Sequence, residues 1–451
     1  MLYLYYNAGV LDIVEDRKDA LGMGFVDDVV YGVKGYQDKG NAKKLRKIME
    51  KAEEWRRKHG VQFEPSKYVL VHFTRNHRRS TKAVLTLQEG TTIKPSTEAK
   101  YLGVIFDQQL RFKGHLQHAV KKGTNAALAL SSIANGNWGT PHKLVKQLYQ
   151  AVIAPRTDYA AVIWHRPKAD ESAANSMQAQ KLTTVQRIAM KTILGCYRTT
   201  PTIAMELESG LPPPWIRLQI RVLSSFTRMQ SLAPSHPILE LINDGLRTRT
   251  SNVIHRSVIE NALQQFPITA TKINTVLPFT QPPWVPMDNT QTHDGTDQTK
   301  QALKEKQKRL QEIKKTANEQ WNHQWMSDKR QPATHLRRII TKDGNQYGPA
   351  LYNKIPSRNL CAKTIQLRTG HCGLNKYLCR VGIIDSPDCE CGGGQETVEH
   401  FLLECPRYRE QRRMLRNKVG GGGMRVDVLL GNWKTIVEHT ADFITNTGRL
   451  D

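Results

Sequence analysis

Within residues 388–413, DCECGGGQETVEHFLLECPRYREQRR, the pattern Cys389-x-Cys391-x8-His400-x4-Cys405 gathers three thiols and one imidazole. These are the four donors of a closed tetrahedral zinc set, which leaves no open position for a reactive water. The segment must therefore fold back on itself, and the site it makes is structural rather than catalytic. The paired cysteines lie in a Gly-rich turn that makes a knuckle, and Thr397–Arg413 is predicted to be one helix whose first turns carry His400 and Cys405 toward it. Cys-x-Cys is tighter than the common two-to-four-residue spacing, so Cys379, Cys372 or His371 stands as an alternative for one ligand. The competing reading is a set of buried free thiols beside a helix-face histidine. Seven cysteines, three of them in residues 389–405, suit reduced thiols and a metal better than a disulfide framework.

A chain of 451 residues exceeds the usual size of one core. Its 66 basic against 41 acidic residues give a formal charge of +25, which points to a polyanionic partner, most simply nucleic acid. An anionic membrane surface competes, but no basic amphipathic helix offers a bulky apolar face for it. No uncharged run approaches the ~20 residues of a membrane span. The opening MLYLYYNAGVLDIVED has no basic start and carries Asp12, Glu15 and Asp16, so no secretory signal is expected. An intracellular protein of the nucleus or cytoplasm follows from these features.

Along the chain, a helix is predicted over residues 1–16, then a hairpin, then a helix over 41–59 with Leu45, Ile48, Met49, Ala52 and Trp55 on one stripe and Gly60 as its stop. Residues 61–75 and 83–94 look like strands. Together these make an α+β unit over 1–115. Residues 116–243 are almost wholly helical in pattern. The stretch 244–300, with Pro267, Pro278, Pro282, Pro283 and Pro286, is expected to be a linker. A charged helix follows over 301–345, with Leu310, Ile313, Ala317 and Trp321 on one stripe; the zinc-binding module takes 346–418, and 419–451 is expected to be a tail. No serine or cysteine nucleophile arrangement is present, and Gly420–Gly423 lacks the preceding strand and following Lys-Ser/Thr of a phosphate loop.

The hairpin is GMGFVDDVVYGVKG, residues 22–35, where Asp27 and Asp28 separate two apolar, β-branched runs. A polar turn explains the pair. So does a tip that holds two carboxylates side by side for hard cations such as Mg²⁺.

Taken in order, the hairpin, basic helix, helical module and cysteine cluster resemble the polyprotein of LINE-type (non-LTR) retrotransposons. Phe25-Val26-Asp27-Asp28 resembles the metal box of their reverse transcriptase, an RNA-directed DNA polymerase. FEPSK, Phe63 to Lys67, is similar to the next motif, and YLGVIFD, Tyr101 to Asp107, with His115 resembles the primer-gripping segment. Residues up to Asp158, Tyr159 and Trp164, then VQRIAMKTILGCYRTTP, resemble the thumb, and QLRTGHCGLNKYLCRVG with the cysteine cluster resembles the zinc-binding region.

The resemblance implies a partial right-hand polymerase palm, an all-α thumb and a small zinc-binding C-terminal module. It implies Asp27 and Asp28 as Mg²⁺ ligands in two-metal phosphoryl transfer, Lys67 near the incoming nucleotide, and Tyr101, Leu102 and Gly103 at the primer grip. Cys389, Cys391, His400 and Cys405 would hold Zn²⁺. The partner would be nucleic acid: RNA template, DNA primer or their hybrid. In the family a third aspartate lies well upstream of the metal box, and here only 26 residues precede Asp27. The expectation is therefore a fragment that binds nucleic acid without polymerising alone. The alternatives are a non-catalytic nucleic-acid-binding zinc protein and the product of a decayed element. DGTD at 294–297 resembles the start of a ribonuclease H, but 244–300 is too short to hold one, as an internal deletion would explain. With its neighbouring strands missing, the hairpin is expected to expose apolar surface and an unpaired edge.

Overall fold

In the computed structural model, helix α1 (Leu2–Asp12) leads into an antiparallel hairpin of β1 (Ala20–Phe25) and β2 (Asp28–Val33), paired from Ala20↔Val33 to Phe25↔Asp28. The structure describes residues 2–74, 76, 78–88, 90–165, 176–234, 236, 238, 239, 242, 258–265, 274, 293–327, 336, 337, 339, 340, 352–355, 357–431 and 436–450. Two compact units divide it, residues 1–118 and 119–451.

In the first unit α1 braces the hairpin. A Cβ on Gly22 would stand 2.8 Å from the Val14 side chain and force it to shift, and one on Gly24 would crowd Leu11 at 3.3 Å. The Tyr31 hydroxyl donates to the Val10 carbonyl at 2.6 Å. Helix α2 (Asp38–His59) buries Ala42, Ile48 and Ala52, and Gly60 closes it in the left-handed region with its N–H on the Arg56 carbonyl.

The strands expected over 61–75 and 83–94 are largely absent among the described residues. Pro65–Lys67 is a single 3₁₀ turn and Leu70 makes one bridge to Pro95, while β3 (Leu85–Thr86) and β4 (Thr92–Ile93) are two residues each. Pro65 has no N–H to give a ladder, and the apolar residues are used instead in a small core of Leu70, Leu85 and Leu87 against Leu45 and Met49. β5 (Glu98–Tyr101) and β6 (Val104–Asp107) complete three separate two-stranded sheets. On β1, Leu21, Met23 and Phe25 alternate along one face and are 52%, 43% and 59% exposed. That is the apolar surface the sequence leads one to expect.

Helix α3 (Lys113–Ala129) precedes the helices of the second unit. There, α4 (His142–Leu148) runs through a π-turn, Tyr149–Ile153, into α5 (Ala154–Thr157), followed by α6 (Ala161–Trp164), α7 (Met177–Leu194), α8 (Thr202–Ser209) and α9 (Pro214–Gln230). Beyond them come α10 (Val258–Gln265), α11 (His293–Ser327), α12 (Arg358–Thr369), α13 (Asn375–Arg380), α14 (Arg409–Val419), α15 (Val426–Leu429) and α16 (Ile436–Thr447).

Two expectations are corrected here. Residues 244–300 are not linker throughout: α10 packs on α6 and α9 with Val258 and Ala262 buried, and α11 begins at His293. The five prolines lie outside the described residues. Nor is 419–451 a tail, because α16 sets Val437, Ala441, Phe443 and Ile444 into the core against α12 and α14. The spacing of those apolar residues is helical, and Gly421–Gly423 is a 3₁₀ turn that lets the chain return.

One core runs through the unit, from Val185, Ala189 and Met190 on α7 to Ile365 on α12, Phe401, Leu402 and Phe443. The segments read as thumb and as zinc-binding module therefore share it. Charged groups tie them: Arg358 of α12 donates to the backbone carbonyls of Asn135, Thr140 and Thr192, and Arg368 pairs with Glu208 of α8. Asp158 holds Arg217 with two bonds of 2.7 and 3.0 Å.

Burial holds two histidines of this unit, His142 and His165, down at about 4 from an ordinary 6.5. A histidine depressed in the fold contributes its stability above the unfolded pKa and loses it as pH falls toward the folded one, since the unfolded chain takes up the proton first. The unfolding free energy of the unit is expected to decline between pH 6.5 and 4. The slope should approach about 1.4 kcal/mol per pH unit for each histidine. Denaturant melts across that window check this, and a flat profile contradicts it.

Candidate metal centre and aspartate hairpin

The β1–β2 hairpin turns through Val26 and Asp27, with Phe25 and Asp28 as its closing pair. Val26 has φ 58°, a left-handed value that is costly for a β-branched residue. Asn7 on α1 donates to the Val26 carbonyl at 3.2 Å and holds the turn. Both carboxylates stand exposed at the tip. The Tyr101 hydroxyl is raised above the ordinary value by burial first and by the Asp28 charge second.

Tyr101 ends β5, and Leu102 (φ 45°) and Gly103 (φ 81°) form the two-residue turn into β6. His115 anchors that turn from α3, its Nδ1 accepting the Ile105 N–H at 3.4 Å. Lys67 stands exposed at the end of the Pro65–Lys67 turn. There the Ser66 hydrogen bonds, and the Lys67 charge after them, hold Glu64 below the usual carboxylate range. The structure thus brings Asp27 and Asp28 to one tip, and sets Lys67 in the turn that follows Glu64.

The cysteine cluster closes as its spacing requires. Cys389 and Cys405 have their sulfurs 3.7 Å apart, Cys391 Sγ is 3.3 Å from His400 Nε2, and all four donor atoms lie within 4.8 Å of one another. A disulfide would put two sulfurs about 2.05 Å apart. Two thiolates each about 2.3 Å from a tetrahedral zinc stand roughly 3.8 Å apart, so the residues fit such an ion. Cys372, Cys379 and His371 are outside the cluster; burial pushes the Cys372 thiol up to about 12, and Cys379 donates to the Asp385 carbonyl.

Local chain chemistry builds this centre. Gly392 and Gly394 have φ of 72° and 101°, the Cys389 N–H meets the Gly394 carbonyl, and Asp388 bridges Gln395, which together make the knuckle. A Cβ on Gly393 would come within 3.3 Å of Cys391 Sγ and His400 Cε1. The Gly393 N–H donates to Cys391 Sγ at 3.3 Å and is the first cause of that thiol's fall to about 7.

The helix expected over 397–413 is not continuous. His400–Glu404 is a π-turn closed by the Cys405 N–H on the His400 carbonyl, and Cys405 itself is extended, with φ −54° and ψ 119°. Pro406 disfavours the helical region for the residue before it. The x4 spacing is the reason the turn is wide: residues five apart diverge on an α-helix and come together on a π-turn. Arg412 reaches back from α14 to the Leu402 and Cys405 carbonyls at 3.0 and 2.8 Å. One partner passed over in the sequence is Glu404, whose carboxylate lies 3.5 Å from His400 Nδ1. That contact fixes the imidazole with Nε2 toward the sulfurs, and its i,i+4 spacing made it legible.

Among the described residues this is the one group of three or more histidine, cysteine or carboxylate side chains placed to hold a metal. No third carboxylate joins Asp27 and Asp28 there. No described helix is long and apolar enough to cross a membrane.

No family model matches the chain, and no solved structure does. Relatives do. The Retrovirus-related Pol polyprotein from type-1 retrotransposable element R1 4 of Nasonia vitripennis is 24% identical over 335 residues, 74% of this chain and 66% of that protein. The 115 kDa protein in type-1 retrotransposable element R1DM of Drosophila melanogaster is 22% identical over 94% of this chain and 34% of its own length. The Pol polyprotein of element R1 2 of Nasonia vitripennis is 21% identical over 86% of this chain and 79% of that protein. The chain thus spans about two thirds of the first relative and one third of the second. Four such relatives, 21–24% identical over 72–94% of this chain, support its identification as a LINE-type (non-LTR) retrotransposon protein.

Proposed function

We propose that this retrotransposon protein holds a primer–template nucleic acid as part of a reverse transcriptase, with zinc as a structural ion at Cys389, Cys391, His400 and Cys405. The observation that carries the reading is the pair of carboxylates, Asp27 and Asp28, standing exposed at the tip of the β1–β2 hairpin, where the Asp28 charge also raises the Tyr101 hydroxyl. The names of the relatives as Pol polyproteins support it, as does the charge of +25.

Two exposed carboxylates do not by themselves make a two-metal Mg²⁺ centre, and among the described residues none joins them. The isolated chain is therefore expected to retain primer–template without extending it. RNA-templated primer extension with Mg²⁺ decides this, run on the chain and on the Asp27→Asn, Asp28→Asn double variant. Retention that weakens steeply with salt, with no extension, supports the reading. Extension lost in the variant would restore catalysis to the chain, and no retention at low salt would remove nucleic acid as its partner.

A further inference from the structure

A cleft of about 310 Å³ opens in the second unit between α4, the end of α7, the end of α8 and Tyr352–Asn353. It is separate from the hairpin and from the cysteine centre. Lys143, Lys146 and His142 line it from α4, with Ser209 and the amide of Asn353 opposite. The single acid on its wall is Glu208, and that charge is already met by Arg368 at 3.0 and 3.1 Å and by the Tyr352 hydroxyl. What remains is a hollow with two ammonium groups and several polar groups able to donate, and no free negative charge.

Two details point to an anion. The ring of His142 is buried, one nitrogen bonds the Leu194 backbone, and Nε2 has no hydrogen-bond partner among the described residues. A buried polar atom of this kind calls for a partner. Lys146 uses one N–H on the Gly210 carbonyl at 3.3 Å, and burial holds its amine below the ordinary lysine value. Burial first, and the nearby Arg358 charge second, keep His142 neutral in the same way. An anion between them would relieve both groups at once, favouring the charged lysine and turning Nε2 into a donor.

We infer that this cleft binds a phosphate group of nucleic acid, gripped by Lys143, Lys146 and His142. The inference rests on the nucleic-acid reading for its source of phosphate, and its test separates the two. The His142 ring signal, assigned with His142→Asn, is titrated by NMR in the full chain with inorganic phosphate, a nucleoside monophosphate, and a short oligonucleotide with and without a terminal phosphate.

The expected result is a His142 pKa raised by about one to three units with at least one probe, and no rise in Lys146→Gln, whose amide can still donate to Gly210. A shift with the unphosphorylated oligonucleotide assigns the site to the backbone diester. A shift only with monoesters assigns it to a chain end or a free nucleotide. No shift with any probe overturns the inference, and this wild-type arm decides even if the variant misfolds. Duplex retention without a His142 shift sinks the cleft and leaves the nucleic-acid reading standing. A phosphate shift without duplex retention does the reverse.

Discussion

Arg368→Met is expected to destabilise the 119–451 unit by about 3–5 kcal/mol, the range for breaking a buried ion pair from one side. Arg368 and Glu208 are both 0% exposed, and the guanidinium Nε sits 3.0 and 3.1 Å from the two carboxylate oxygens. Arg368 also donates to the Leu430 carbonyl. With it gone, Glu208 keeps only the Tyr352 hydroxyl and stays buried as a charge with too few partners, or takes up a proton to avoid that state. The penalty comes from the stranded carboxylate rather than from the lost attraction. The double variant Arg368→Met, Glu208→Leu should therefore recover much of the loss. Denaturant melts of both variants decide it; a single variant within about 1 kcal/mol of the parent would count against the pair as a tie.

Stripping the metal with a chelator, or changing Cys405 to Ser, is expected to loosen the whole second unit and not just the knuckle. Cys389, Cys405, Phe401 and Leu402 belong to the same core as α7 and α12. In small zinc-finger peptides the ion contributes about 10–16 kcal/mol of apparent binding free energy, all of it coupled to folding. Here the helices supply much of the core themselves, so a fall of several kcal/mol is expected, with amide exchange quickening on α7 as well as near residue 400. One bound zinc per chain, measured by elemental analysis, is the companion expectation. Stripped protein whose α7 amides exchange as before would show that the centre is energetically local.

Some of this was legible from residue order alone. The four candidate metal ligands are neighbours in the chain, so their spacing carries their geometry, and Gly392 and Gly394 announce the turn that joins them. The α2 stripe and its Gly60 stop are equally local. The Asp27–Asp28 hairpin was visible as well, because a two-residue turn between β-branched runs is a short-range signal. The strands over 61–75 failed where a local propensity needed a partner strand. The helix over 397–413 failed at Cys405, where the wide turn suits the metal ligands and Pro406 ends the run.

What the sequence by itself determined, then, is the set of devices whose parts lie within a few residues: the cysteine centre, the aspartate turn, the amphipathic helices and the excess of positive charge. Only the tertiary structure decided that the cysteine-cluster segment and the helical unit share one core, and that the residues after 419 complete it. Arg358 reaches carbonyls from Asn135 to Thr192, and Arg368 finds Glu208 in α8, across separations that no periodic pattern records. Which distant groups meet is set by how apolar faces close over buried charge, and that is a property of the packed chain.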